Sequence, residues 1–121
     1  MKFLKQLNDI INSETFNLQK DFLIINRKND LDNSLYSNLS TLLLLDYDNS
    51  DVINEIKTLK YEEYYETIID VVGNEILLYV FKRQIKDYLI YIKLSIRNQK
   101  IIVCYSFHIS DETKKNRKRE N

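Results

Sequence analysis

Residues 88–109 read YLIYIKLSIRNQKIIVCYSFHI, with an apolar residue at nearly every second position of each half. Alternation with a period of two is typical of a β-strand that buries one of its faces. The polar pair Asn98-Gln99 separates the two halves and is compatible with a two-residue hairpin turn. The stretch therefore predicts an antiparallel hairpin with strands Tyr88–Arg97 and Lys100–Ile109.

Pairing Arg97 with Lys100 sets the predicted register of this hairpin, and a one-residue slip would mix its two faces. On one face, Ile90, Ile92, Leu94 and Ile96 then lie opposite Phe107, Tyr105, Val103 and Ile101. On the other, Tyr91, Lys93, Ser95 and Arg97 lie opposite Ser106, Cys104, Ile102 and Lys100, with His108 diagonal to Tyr91. We call this second face, opposite Ile92 and Leu94, the polar face.

The rest of the chain supplies one more strand of the same type and a helical layer. Period-two alternation predicts a strand at Glu75–Arg83, which makes a three-stranded meander with the hairpin. Apolar residues spaced three and four apart predict three helices. The first spans about Lys2–Asn12, and the second begins at about Asp32 and carries Leu35, Leu39, Leu42 and Leu43. The third carries Val52, Ile53, Ile56 and Leu59, and Asp48, Asn49 or Ser50 could cap its N-terminus. A short β-branched run predicts a further strand at Asp21–Asn26. The predicted fold is α+β, an antiparallel β-meander packed on N-terminal helices.

Length and composition indicate a single cytoplasmic domain. A chain of 121 residues has room for one core, which we place in residues 1–110. Charged residues interrupt the N-terminus and the longest apolar run is Leu42–Leu45, so neither a signal peptide nor a membrane span is predicted. The single cysteine, Cys104, is interpreted as a small buried hydrophobe, and a nucleophile would need an electropositive setting.

Charge is distributed unevenly along the chain although the net charge is zero. Residues 1–80 hold seven Lys and Arg against fourteen Asp and Glu, whereas residues 81–121 hold eleven against four. A basic C-terminal part favours a polyanion or an acidic partner. Residues 111–121 have no apolar position and are predicted to be a disordered basic tail. Because five of the eleven cations lie there, the alternative is that the basic character reflects this tail alone.

The side chains of the polar face could perform acid–base chemistry on RNA. Metal-independent RNA cleavage needs a base for the 2′-OH proton, a cation beside the phosphorane, and an acid for the leaving 5′ oxygen. Tyr91, Lys93, Arg97 and His108 could fill these roles, whereas the alternative is a sheet whose outer face is polar for solubility. The acidic pairs Asp46 with Asp48 and Glu62 with Glu63 are interpreted as turn or cap residues. No metal-ligand spacing or Gly-rich phosphate loop is present, so we expect neither metal nor cofactor.

Several segments resemble one family of small bacterial proteins. They are Asp51–Leu59, Glu63-Tyr64-Tyr65, Tyr91-Ile92-Lys93-Leu94 and Ile102–His108, and the most specific element is the "Tyr-Ile-Lys-Leu" strand followed by "Ser-Phe-His". Together they resemble the MqsR-like toxins of type II toxin–antitoxin systems over roughly residues 20–110. The resemblance implies a RelE-like fold and an endoribonuclease that cuts mRNA and is neutralised by a cognate antitoxin.

The resemblance also implies site residues, and it has departures. Tyr91 matches the family's sheet tyrosine, and Lys93 and His108 lie beside it. Glu66 stands where a family lysine is expected and Leu78 where a glutamine is expected, so Arg83 or Lys82 could supply the missing cation. Further candidates for RNA contact are Arg97, Arg27 and Lys28. The alternative function is a non-catalytic inhibitor or regulator, encoded by a phage or mobile element, that binds a protein partner. Homo- or hetero-oligomerisation stays open.

Overall fold

The computed structural model describes residues 1–25, 37–70 and 76–110. The helices are α1 (Lys2–Ile11), α2 (Leu18–Asp21), α3 (Asn38–Leu45) and α4 (Asn49–Lys57), with a 3₁₀ turn at Tyr61–Glu63. The strands are β1 (Phe22–Ile24), β2 (Tyr64–Asp70), β3 (Ile76–Ile85), β4 (Tyr88–Arg97) and β5 (Ile101–Ile109). None of these helices has the length and the apolar composition that a membrane span requires.

The five strands form one mixed sheet in the order β1-β5-β4-β3-β2. Strands β2 to β5 are an antiparallel meander, whereas β1 pairs with β5 in parallel. The predicted α+β class and antiparallel C-terminal meander are therefore confirmed, and the predicted strand at Asp21–Asn26 corresponds to β1. Strand β2 was not predicted, because Tyr64–Asp70 joins tyrosines, acidic residues and isoleucines without a clean alternation.

Helices α1 and α4 cover the sheet face opposite the polar face. Phe3 and Leu7 of α1 and Val52 of α4 are among the core residues, and they share one cluster with Ile92 and Leu94. The first turn of α4 is closed by a capping box in which Asp48 and Asp51 each accept from the other's backbone N–H, at 3.0 Å. The predicted stripes of these two helices and the predicted cap are confirmed.

Helix α3 presents two polar side chains to the sheet, together with Leu45, which is buried in the core cluster, and Leu42, which packs against that cluster. Asn38 and Thr41 are buried, whereas Leu43 is 73% exposed. Of the predicted leucine stripe, Leu35 lies outside the described residues, Leu39 is half-buried, Leu42 packs against the core as predicted, and the inward placement of Leu43 is wrong. The physical reason is that Asn38 and Thr41 accept from the backbone N–H groups of Phe107 and Ile109 at 2.9 and 3.0 Å, along the edge of β5 beyond its pairing with β1. These bonds satisfy a strand edge that would otherwise lack partners.

The β4–β5 hairpin turns at the predicted position, but the turn spans the three residues 98–100 and not the predicted two, and the predicted register is wrong. Asn98 and Gln99 have positive φ, and Lys100 N–H donates to the Arg97 carbonyl at 3.1 Å. The ladder nevertheless pairs Arg97 with Ile101, and it shifts by one further residue between Lys93 and Leu94. Each shift adds an extra residue on the β5 side, as β-bulges do.

The shifted ladder exchanges the two faces of β5 near the turn. Ile102 and Cys104, predicted on the polar face, belong to the core cluster. Ile101 and Val103, predicted in the apolar set, lie opposite Arg97 and Ser95 on the polar face. The face predicted for β4 is confirmed, because Ile92 is fully buried in the core and Lys93 is half-buried on the opposite side.

Cys104 is fully buried, which confirms its interpretation as a small hydrophobe. Burial raises the pKa of its thiol to about 12, although a hydrogen bond to the Ser106 carbonyl at 3.3 Å acts in the opposite direction. A thiol that holds its proton this firmly is not a nucleophile at neutral pH.

Candidate functional site

A row of aromatic and basic side chains crosses four strands of the polar face. Lys82 pairs with Tyr91, and Tyr91 pairs with His108, so the three lie side by side on β3, β4 and β5. The Tyr91 and His108 rings are stacked, with centroids 5.2 Å apart and planes 15° from parallel. At the other end of the row, Lys82 Nζ lies 3.5 Å from the ring centroid of Tyr65 on β2. The hairpin prediction placed His108 diagonal to Tyr91, and the bulge instead places the two directly opposite.

A second row lies next to the first, toward the hairpin turn. It contains Glu66, Val80, Lys93 and Ser106, one from each of the strands β2 to β5. Lys93 Nζ lies 5.9 Å from the ring centroid of Tyr91, which joins the two rows. Glu66, which stands where the family resemblance leads to a lysine, is therefore a carboxylate on the same face as the candidate site.

The environment of Tyr91 keeps its phenol protonated. Burial is the largest cause that raises the pKa of Tyr91, and the Glu66 carboxylate raises it further, whereas Lys82 lowers it. A phenol whose pKa is raised in this way is neutral near pH 7 and can donate a hydrogen bond or a proton. Tyr91 is thus suited to act as a donor and not as a base.

His108 is oriented by its own strand. Its Nδ1 lies 3.1 Å from the Ile109 carbonyl oxygen, and because a carbonyl only accepts, Nδ1 is the donor in this contact. In the neutral ring this leaves Nε2 as the nitrogen that takes up a proton. Histidine is the side chain that exchanges protons most readily near neutral pH, so the row pairs a donor, Tyr91, with an acid–base group.

The floor of the site is apolar and buried. Val80 and Val103 are fully buried and Leu78 is 6% exposed, yet none of the three belongs to the core cluster between sheet and helices. Leu78, the other departure from the family pattern, lies opposite Ile68 and so shares the polar face with Glu66. Electrostatic interactions are stronger over such a floor than in water, because the local dielectric constant is lower.

Arg83, predicted as a catalytic cation, lies on the other side of the sheet. It pairs with the core residue Ile90, so its side chain extends toward α4. Its Nη1 donates to the Glu55 carbonyl at 2.6 Å and to Thr58 Oγ1 at 2.8 Å, and its Nε forms ion pairs at 3.5 Å with the carboxylates of Glu55 and Glu63. The assignment of Arg83 to the site is therefore wrong, because strand alternation separates it from its neighbour Lys82.

Of the remaining candidates for RNA contact, Lys82 and Arg97 lie on the polar face, and Arg27 and Lys28 lie outside the described residues. Arg97 is at the turn end of β4 and donates from Nη2 to the Tyr105 hydroxyl at 2.6 Å. Sequence reasoning missed Tyr65 and Tyr105 as members of this face. Tyr65 lies in β2, which was not predicted, and Tyr105 lies at a shift of the β4–β5 ladder, where simple alternation assigns the wrong side.

Within the described ranges, no three His, Cys, Asp or Glu side chains form a group that could hold a metal ion. The chemistry that the site can perform with its own side chains is proton transfer and the binding of anions and aromatic rings.

Comparisons of the chain with protein families, with curated proteins and with solved structures find no match.

Proposed function

We propose that this protein is a metal-independent endoribonuclease that cleaves mRNA, and that it is the toxin of a type II toxin–antitoxin system. The observation that carries the proposal is the stacked Tyr91–His108 pair with Lys82 and Lys93 beside it on one sheet face. It brings a proton donor, an acid–base group and two cations within reach of a single phosphodiester.

The reaction would proceed through attack of a ribose 2′-OH on the adjacent phosphorus. The O2′–P bond forms as His108 Nε2 takes the 2′ proton, and the P–O5′ bond breaks as the leaving oxygen receives a proton from Tyr91. The products are a 2′,3′-cyclic phosphate and a free 5′-OH. Lys93 and Lys82 would stabilise the added negative charge of the phosphorane, a contribution of the kind that oxyanion donors make.

Glu66 is compatible with this chemistry in one way and opposes it in another. A carboxylate can act as a second base for the 2′ proton, and its charge keeps Tyr91 protonated. It also repels the phosphate, which leaves Lys82 and Lys93 as the cations that must outweigh it. We therefore expect the site to depend more strongly on these two lysines than a site with a further cation would.

The toxin setting rests on the resemblance to MqsR-like proteins through Tyr91-Ile92-Lys93-Leu94 and Ser106-Phe107-His108. A RelE-like arrangement of the sheet, mRNA in the cytoplasm as substrate and a neutralising antitoxin as partner belong to the same proposal.

A second candidate is a non-catalytic inhibitor or regulator that binds a protein through the polar face. It is favoured by Glu66 and Leu78, which replace a cation and an amide expected in the family, and by the 55% exposed ring of Tyr65 on the same face. Exposed aromatic groups beside mixed charges suit a protein interface as well as RNA.

Inducible expression in a bacterial host separates the two candidates. The proposal expects growth arrest with the wild-type chain, loss of arrest with Lys93→Ala, and unchanged arrest with the matched control Lys57→Ala, which removes an exposed lysine of α4 on the other side of the sheet. Arrest by a stable, folded Lys93→Ala chain would favour the inhibitor.

A further inference from the structure

The β-bulge in β5 brings an additional aromatic side chain to the polar face. Lys93 pairs with Ser106 and Leu94 with Cys104, so Tyr105 has no direct partner on β4. Its hydroxyl lies within hydrogen-bond distance of Ser95 and Arg97, both on the polar face, at 3.4 and 2.6 Å. Bulges are frequent next to functional sites, where they redirect a side chain.

Arg97 and Tyr105 together form a composite surface of one cation and one ring. The Arg97 guanidinium carbon lies 5.8 Å from the Tyr105 ring centroid. Arg97 is exposed and Tyr105 is half-buried, so the ring is held in place while the guanidinium faces solvent. Such a pair can stack a nucleobase on the ring and bind a phosphate at the guanidinium.

The position of the pair relative to Tyr91 and His108 suggests what it binds. Tyr105 lies three residues from His108 along β5, which is roughly 10 Å of strand. Arg97 lies six residues from Tyr91 along β4, roughly 20 Å. The contacts of the Tyr105 hydroxyl with Ser95 and Arg97 keep the pair on the same face as the candidate catalytic row. The pair lies beyond Lys93, where the chain of a bound RNA would continue.

We infer that Arg97 and Tyr105 form a subsite for a nucleotide flanking the cleaved bond, and that the substrate is single-stranded RNA. This inference rests on the proposed ribonuclease function. Arg97 binds a backbone phosphate and Tyr105 stacks the unpaired base next to it. A base in an RNA helix is already stacked on its neighbours and paired, so it cannot stack on the Tyr105 ring, whereas an unpaired base of a single strand can.

Binding is measured with a fluorescein-labelled ten-nucleotide 2′-O-methyl RNA, which has no 2′-OH to attack and so stays intact. Tyr105→Ala should weaken binding roughly 5- to 150-fold, the range for loss of one base–aromatic stack. Tyr105→Phe should bind close to wild type, because the ring remains although its hydroxyl partners are lost. Arg97→Gln should make the negative slope of log affinity against log salt shallower by about 0.7, as loss of one phosphate contact does on a single strand.

The matched control for the ring is Tyr61→Ala, at a 64% exposed tyrosine in the 3₁₀ turn, and it should leave binding unchanged. A blunt RNA duplex should bind Tyr105→Ala and wild type equally.

If the wild-type chain binds the single strand and both Tyr105→Ala and Arg97→Gln bind like wild type, the subsite is wrong while the proposed function stands. If Tyr105→Phe binds as weakly as Tyr105→Ala, the ring does not stack a base and the inference is overturned. Absence of any RNA binding by the wild-type chain overturns the proposed function and this inference together.

Discussion

At the scale of single residues, burial decides which groups can titrate. Burial raises the pKa of both Cys104 and Tyr91. Cys104 lies in the core between sheet and helices, whereas Tyr91 is half-buried beside Lys82, Glu66 and His108. The first is inert at neutral pH, and the second has partners that can use its proton. The consequence for Cys104 can be measured as a stability effect.

We expect the free energy of unfolding to fall above about pH 9 and part of this fall to come from Cys104. The folded chain keeps the thiol protonated up to about pH 12, whereas the unfolded chain releases the proton from about pH 9. Stability from this group is therefore complete below pH 9 and declines by up to about 1.4 kcal/mol per pH unit as pH rises. Urea unfolding at pH 8 and pH 10 measures it.

Cys104→Ala is the variant for this test, because it removes the thiol and leaves a small apolar side chain. Its stability should decline less between the two pH values than that of the wild-type chain. Equal declines in both chains would show that Cys104 is not the group responsible.

Alternation placed Tyr91 and Lys93 on one face correctly from the sequence alone, because β4 has no irregularity of its own. The positions of Tyr105, Cys104 and Ile102 could not be predicted in the same way. Each depends on extra residues accommodated in β5, and no residue type in Lys100–Ile109 marks where the bulge falls. The stacking of Tyr91 on His108 follows from that bulge and was therefore also beyond the sequence.

At the scale of elements, two polar devices fix the helices to the sheet. Arg83 ties the C-terminal turn of α4 and the 3₁₀ turn to β3, and Asn38 ties α3 to β1 and β5. Neither could be assigned from sequence, since an arginine in a strand and an asparagine before a leucine run have many roles. The leucine run led the prediction to place Leu43 inward, whereas the structure buries Asn38 and Thr41 and leaves Leu43 exposed.

Arg83→Ala should destabilise the fold and leave RNA chemistry intact. The side chain is 16% exposed and binds Glu55, Thr58 and Glu63, so its loss leaves two carboxylates and a carbonyl without their donor. We expect a loss of roughly 2 kcal/mol, in the range for hydrogen bonds to charged groups. Urea unfolding gives the stability, and RNA affinity is measured well below the melting temperature. A folded Arg83→Ala chain with tenfold weaker RNA binding would return Arg83 to the candidate site.

Asn38→Ala should lower the free energy of unfolding more than a substitution at the exposed Leu43 of the same helix. The amide donates to the Ile25 and Tyr105 carbonyls at 2.9 and 3.1 Å and accepts from Phe107 N–H at 2.9 Å. Leaving these buried groups unsatisfied should cost roughly 2–4 kcal/mol. The control, Leu43→Gln on the exposed side of α3, should change stability by about 0.5 kcal/mol or less. The reverse order of the two effects in thermal or urea unfolding would contradict the inward face assigned to α3.

At the scale of the whole molecule, the fold separates the two signs of charge only in part. The acidic excess of residues 1–80 includes Glu55 and Glu63, which Arg83 neutralises on the helix side, but also Glu66 on the polar face. The basic side chains Lys82, Lys93 and Arg97 lie on the polar face among the described residues. The charge asymmetry could be counted from the sequence, and the class of fold and strand β1 could be predicted from it. The parallel pairing of β1 with β5 and the edge strand β2 required the structure.

RNA binding should weaken steeply as salt concentration rises. Phosphate contacts release counterions, so three lysine and arginine contacts on a single strand give a slope of log affinity against log salt of about −2. Fluorescence anisotropy between 50 and 200 mM salt measures the slope. A chain that lacks residues 112–121 shows whether the basic tail contributes, since an uninvolved tail leaves the slope unchanged. Salt-independent binding would contradict the assignment of these cations to phosphate contacts.

The most direct test of the proposed ribonuclease function is cleavage of a single-stranded RNA by the purified chain in the presence of EDTA, with the ends of the products identified by mass spectrometry. We expect wild type and Lys57→Ala to yield 2′,3′-cyclic phosphate and 5′-OH ends at equal rates. Lys93→Ala should remain folded and be slower by about 10²–10³, the usual loss for one preorganised donor at a developing charge. Tyr91→Phe and His108→Ala should each be slower, with effects that do not add if the residues act as one unit. Cleavage by folded Lys93→Ala at the wild-type rate, or no cleavage of any RNA by the wild-type chain, would contradict the proposal.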